Sequence, residues 1–200
     1  MACRIIALGS GKRGGNTSLL LDQAIRGAED GGCGVERINY AHLDLETAME
    51  AVYGTDPSAD PLSNELRDIF RRFQEADGII VAAPVYTMGV PGRLKSLMDL
   101  FLAIFYAQSA ERARIAPAPR RRTRRGLFLS LAGSVNCPTV FDGSVTTVTA
   151  FFGILGFHYS DDLLIDDMDT ISDLRTRPDL LESAYDKGLA LAKGLKKKKR

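Results

Sequence analysis

Residues 9–18 read Gly9-Ser10-Gly11-Lys12-Arg13-Gly14-Gly15-Asn16-Thr17-Ser18, between the apolar run Ile5-Ile6-Ala7-Leu8 and an apolar-periodic segment over residues 19–28. The order is strand, small-residue loop, helix. It leaves unpaired backbone N–H groups and the positive end of a helix dipole at the loop, the arrangement that holds an anion such as phosphate. Ser10, Asn16, Thr17 and Ser18 add hydroxyl and amide donors to the Gly15 backbone, and Lys12 and Arg13 add positive charge. Gly9, Gly11 and Gly14 match the letters of the dinucleotide fingerprint, but the second strand ends Ile38-Asn39-Tyr40 without the carboxylate that holds a ribose. A Walker A loop fails too, because Gly15 and Asn16 stand where Lys and Ser or Thr are needed. The alternative is a simple capped helix start at Asn16 or Thr17. The length of the small-residue loop favours phosphate.

A second unusual loop, Pro84-Val85-Tyr86-Thr87-Met88-Gly89-Val90-Pro91, follows the run Ile79-Ile80-Val81-Ala82-Ala83. That run is apolar without alternation, as in a central parallel strand covered on both faces. A third loop, Leu131-Ala132-Gly133-Ser134-Val135-Asn136, follows the strand at residues 127–131, and its small residues permit close approach. A plain turn is its alternative reading.

The elements that must position these loops alternate along the chain. Strands are predicted at residues 3–8, 35–39, 79–83, 127–131 and 157–165. Helices are predicted at 16–30, 62–73, from Pro91 to about 105, 139–155 and 180–195. Residues 41–61 are polar and poorly periodic, and 107–125 read as an exposed basic excursion. Such alternation implies right-handed crossovers and a doubly wound α/β sheet of five parallel strands. In the order 2-1-3-4-5 the winding reverses between strands one and three, so the first two loops flank one crevice at the carboxyl ends. Residues 101–106 are apolar around most of the helix and suit either a subunit interface or burial against the sheet.

Two hundred residues with 45% hydrophobic content suffice for one domain, taken as residues 1–195 with a basic tail at 196–200. No apolar run approaches the ~20 residues that cross a bilayer, and the expected compartment is the cytoplasm. The net charge of +1 hides an asymmetry: five arginines lie within residues 120–125, and the chain ends in four lysines and an arginine. Without those ten cations the net +1 becomes −9, so the body is acidic and the basic runs read as mobile appendages. No stacking aromatics interleave with them, which argues against nucleic acid. Cys3, Cys33 and Cys137 are odd in number and far apart, and are expected to be buried free thiols. His42 and His158 are isolated, and the acidic run Asp161, Asp162, Asp166, Asp167 and Asp169 lacks calcium-loop spacing; no metal site is expected.

Gly9-Ser10, Gly15-Asn16-Thr17-Ser18, Glu75-Ala76-Asp77-Gly78 and residues 83–95 together resemble the flavodoxin-like family of NAD(P)H-dependent FMN reductases, over about residues 4–99. The resemblance implies that the first loop holds the FMN phosphate, that Pro84, Val85, Tyr86, Thr87, Met88 and Gly89 lie beside the isoalloxazine ring, and that Ala132, Gly133 and Ser134 contact it. A flat ring suits a rigid loop that offers backbone polar groups to its edge and an aromatic or thioether surface to its face. Iron–sulfur relatives carry a cysteine cluster between strands two and three, and residues 34–136 here contain no cysteine. The implied activity is transfer of electrons from NADH or NADPH through FMN to a quinone, a nitro or azo compound, or free flavin, with no catalytic side chain required. A homodimer or homotetramer is implied as well. An electron carrier served by a partner reductase, and a nucleotide-binding protein without redox chemistry, are the alternatives.

Overall fold

The computed structural model describes residues 3–9, 14–53, 64–112, 123–133 and 137–196. Five parallel strands form one sheet in the order β2-β1-β3-β4-β5, the doubly wound order expected. They are β1 (Arg4–Gly9), β2 (Gly34–Asn39), β3 (Gly78–Pro84), β4 (Arg125–Leu131) and β5 (His158–Ile165). The helices are α1 (Asn16–Asp30), α2 (Leu45–Tyr53), α3 (Asn64–Glu75), α4 (Gly92–Arg112), α5 (Asp142–Leu155), the short α6 (Met168–Ile171) and α7 (Pro178–Lys196).

The unalternating apolar runs follow from two covered faces. Ile5, Ala7, Ile80, Ala82, Leu127 and Leu129 point to the layer formed with α1 and α7. Ile6, Leu8, Ile79, Val81 and Phe128 point to the layer formed with α3, α4 and α5. Each neighbour along a strand faces the opposite layer, so every position is apolar. Phe101 is the hub of the second layer, with its ring 5.2 Å from Phe70 and 5.4 Å from Phe73. Phe101 and Ile104 are buried in this core, while Tyr106 is exposed on the same helix.

Three expectations change. Within residues 41–61, Leu45, Ala48, Met49 and Val52 recur at helical spacing, and α2 lays them against the second layer. The polar residues between them masked the period. Arg93 ties this segment to the start of α4, donating through Nε to Tyr40 O at 3.2 Å and through Nη2 to Leu43 O at 2.5 Å, while Nη1 reaches Glu46 at 3.0 Å.

The expected excursion at 107–125 is overlapped at both ends, for α4 runs on to Arg112 and β4 begins at Arg125, while residues 113–122 lie outside the described residues. Arg124 is buried rather than part of a mobile appendage. Its guanidinium donates to Ala76 O at 2.8 Å, to Leu155 O at 2.5 Å and to Phe73 O. Those carbonyls lie at the C-terminal ends of α3 and α5, where orphan acceptors and the negative dipole ends attract a cation. The guanidinium carbon also sits 3.7 Å from the centre of the Phe157 ring. One arginine thus caps two helices and satisfies its own burial.

Cys3 and Cys33 form a disulfide, so the expectation of buried free thiols fails for both; Cys137 is free but only partly buried. A separation of 30 residues carries no local sign of pairing. The crossover through α1 returns the chain to the edge where β1 began, and the register Arg4 to Gly34 sets Cys3 beside Cys33 with 4.6 Å between Cα atoms. Parallel topology converts a distant pair into neighbours.

Candidate functional site at the carboxyl edge of the sheet

All five strands run the same way, so the three loops singled out above leave one edge. β1 and β3 are neighbours, with Gly9 level with Ala82, so the first and second loops start side by side. Val85 N–H donates to Leu131 O at 2.8 Å, which joins the second loop to the third.

Ser10, Lys12 and Arg13 of the first loop lie outside the described residues, as does Ser134 of the third. Gly15 occupies the N-cap position of α1 in an extended conformation, and no side chain caps the helix. The first bond of the helix is Leu19 N–H to Gly15 O, at 2.9 Å. The N–H groups of Asn16, Thr17 and Ser18 therefore have no acceptor among the described residues, and the first turn contains no carboxylate. An open helix start of this kind attracts an anion.

The side chains divide differently from expectation. Asn16 bridges to the segment after β5, donating through Nδ2 to Ser172 O at 2.8 Å and accepting from Leu174 N at 3.0 Å. Ser18 is buried, and its hydroxyl accepts from Arg37 at 2.9 Å. Thr17 has no side-chain partner among the described residues and keeps its hydroxyl available. At the first loop the described donors are mainly backbone.

The second loop is a tight reversal. Tyr86 N–H donates to Gly89 O at 2.8 Å and Gly89 N–H to Tyr86 O at 3.0 Å, with Thr87 at φ 50° and Met88 at φ 62° between them. Left-handed backbone at two non-glycine residues costs about 1–2 kcal/mol each, and such strain clusters at ligand sites. The turn leaves Tyr86 62% and Met88 45% exposed, two of four large hydrophobic side chains so exposed among the described residues. The N–H groups of Thr87 and Met88 have no acceptor among those residues either. Behind the turn, a Cβ built on Gly143 at the start of α5 would lie 2.2 Å from Met88 O, so this glycine lets helix and turn touch.

In the third loop Ala132 is buried, its N–H bonded to Ile165 O at 2.8 Å and its carbonyl to Met168 N at 3.0 Å. The space a Cβ on Gly133 would take lies 2.6 Å from the Asp169 carboxylate. The smallness of Gly133 thus accommodates Asp169 of α6.

Sequence reasoning missed the connection from β5 to α7. Met168 and Asp169 bond the third loop, and Ser172, Leu174 and Arg175 bond the first, so this connection clasps both. Asp167 and Ser172, at φ 60° and 57°, bend it into place. The many aspartates of residues 161–173 gave a composition signal of a solvated loop, and nothing local marked the long-range bonds. Among the described residues no group of His, Cys, Asp and Glu is arranged to hold a metal, and no helix is long and apolar enough to cross a membrane.

A five-stranded parallel doubly wound sheet in this order is the architecture of the flavodoxin-like proteins, with its switch point between β1 and β3. Residues 3–136 match the family described as NADPH-dependent FMN reductase, and the chain belongs to that family. An iron–sulfur flavoprotein of Methanocaldococcus jannaschii is 34% identical over 91 residues, which cover 46% of this chain and 47% of that one. The chain spans less than two thirds of the length of the curated relatives it matches. A flavone reductase shares the fold with a TM-score of 0.69 at 18% identity, covering 96% of this chain and 63% of that one. An FMN-dependent NADH-azoreductase from Bacillus anthracis, solved in complex with FMN, superposes with a TM-score of 0.61 at 14% identity, over 94% of this chain and 97% of that one.

Proposed function

We propose that the protein is an FMN-dependent oxidoreductase that takes electrons from NADPH or NADH and delivers them to a small acceptor such as a quinone, a nitro or azo compound, or free flavin. The observation that carries the reading is the pairing, at one sheet edge, of an uncapped helix start free of carboxylates with a strained turn exposing Tyr86 and Met88. The first fits a phosphate and the second fits one face of a flat ring, which are the two ends of FMN. Membership of the FMN reductase family points the same way.

In this reading Gly15, Asn16, Thr17 and Ser18 present backbone N–H groups to the phosphate, helped by the Thr17 hydroxyl and by Ser10, Lys12 and Arg13. Pro84 and Val85 stiffen the approach to the ring, Thr87 and Met88 give N–H groups to its polar edge, and Tyr86 and the Met88 thioether cover its face. Gly89 closes the turn, while Ala132, Gly133 and Ser134 border the ring from the other side. The bound FMN supplies the hydride and electron transfer. NADPH or NADH would supply two electrons and one proton as a hydride equivalent, and a quinone acceptor would take up two electrons and two protons, the balance of protons coming from solvent. The side chains named here orient and shield; none is asked to move a proton. The protein acts as a homodimer or homotetramer, and the exposed Tyr53 and Tyr106 are candidate contacts.

Anaerobic mixing of the FMN-loaded protein with NADPH, and separately NADH, tests this. Bleaching of the flavin absorbance by at least one donor, with recovery on adding a quinone or azo dye, is expected. Bleaching only in the presence of a separate reductase protein would instead assign an electron carrier.

A further inference from the structure

Arg175 sits in the single helical turn Leu174–Thr176 between β5 and α7, far from the first loop in sequence and in direct contact with it in space. Its Nη2 donates to Gly14 O at 2.7 Å. Its Nη1 is held by both oxygens of Asp173, at 3.1 and 3.0 Å, and Asp173 Oδ1 also accepts the Arg175 N–H at 2.9 Å. The bond from Leu174 N to Asn16 Oδ1 anchors the neighbouring residue, and the Leu174 side chain is fully buried. The guanidinium is therefore fixed at its base and reaches one loop carbonyl.

The consequence lies in peptide geometry. No cis bond occurs among the described residues, and in a trans peptide the C=O and the following N–H point in opposite directions. A guanidinium bonded to Gly14 O thus directs the Gly15 N–H away from itself, and that N–H has no acceptor among the described residues. A cationic donor also polarises the peptide and strengthens its N–H as a donor. Gly14 adopts φ +80°, a conformation in which side chains are strained, so its rotation is open to outside control.

We infer that Arg175 is a positioning residue for the flavin phosphate, holding the Gly14–Gly15 peptide with its N–H toward the anion; this rests on the FMN reading above. Asp173 balances the charge of Arg175, so what reaches the anion is the orientation and polarisation of this one peptide rather than a net positive charge. Lysine, a point donor, cannot hold Asp173 and Gly14 O in the same planar fork.

The test measures dissociation constants of FMN and riboflavin, which differ by the phosphate, for the wild type, Arg175→Ala, Arg175→Lys and Asp173→Asn, with thermal unfolding of each. Loss of one oriented, charge-assisted contact is expected to weaken FMN about tenfold in Arg175→Ala, with riboflavin changed less than about twofold. Arg175→Lys should recover little of the loss, and Asp173→Asn should show a smaller effect in the same direction. The Arg175 side chain is 56% exposed, so the unfolding temperatures should stay close to wild type. Equal weakening of both flavins, or unchanged FMN affinity in Arg175→Ala, overturns the assignment while leaving the FMN reading intact. A wild type that binds neither flavin overturns both.

Discussion

Tyr86 and Arg124 show how differently two residues of ordinary type are used. Tyr86 is mostly exposed and bonds only through its backbone, so Tyr86→Ala should change folding stability by no more than about 0.5 kcal/mol. If its ring lies against the flavin, the same change weakens FMN and riboflavin together and shifts the bound flavin's spectrum, the opposite of the phosphate-selective loss expected at Arg175. An unaltered spectrum in that variant would remove Tyr86 from the ring site. Arg124 has no place at the site, yet it satisfies carbonyls of α3, α5 and the residue after α3. Leaving buried acceptors unpaired costs about 1–3 kcal/mol each, so Arg124→Met should lower stability by about 3 kcal/mol or more in urea unfolding. A loss under 1 kcal/mol would mean that water replaces the guanidinium. Nothing local marks this division, because Arg124 stands among four other arginines and only the carbonyls around it distinguish it.

Among the elements, strands and long helices were legible because their apolar period is set by burial, and both the central run at Ile79 and the helical stripe at Leu94, Leu97 and Phe101 are buried as read. What escaped depends on contacts between elements. The clasp from β5 to α7 and the touch of α5 on the second loop have no local signature. Gly143 makes the latter testable: Gly143→Ala forces the start of α5 and Met88 O apart, and should cost about 1–3 kcal/mol together with weaker flavin binding. Gly153→Ala on the same helix meets nothing within 4 Å and should be neutral or stabilising by up to about 1 kcal/mol. Comparable losses in both would refute the contact. On β5, burial and then the hydrogen bond to Asp162 push the Tyr159 hydroxyl well above its ordinary value of 10.0. A raised value means that stability is complete below the unfolded value and is lost as pH rises through and beyond it. Urea midpoints should therefore fall above about pH 10 in the wild type and fall less in Tyr159→Phe; matching alkaline slopes would exclude Tyr159 as the source.

Across the whole molecule, the end of the candidate site proposed for the phosphate is built from the first turn of α1 and held by a segment more than 150 residues further on, whereas the end proposed for the ring rests on adjacent strands. The disulfide stands at the opposite edge, where β1 and β2 begin. Thiol titration of the denatured, unreduced protein should find one cysteine, Cys137, and three after reduction, with reduction lowering stability by about 2–4 kcal/mol; three thiols without reductant would contradict the pairing. The proposed function stands on FMN. Its most direct test is the absorbance spectrum of the purified protein, before and after titration with FMN, with any released chromophore identified by mass. Flavin bands from bound FMN, or saturable uptake of added FMN in preference to riboflavin, is the predicted result. A colourless protein that takes up no added FMN would contradict it.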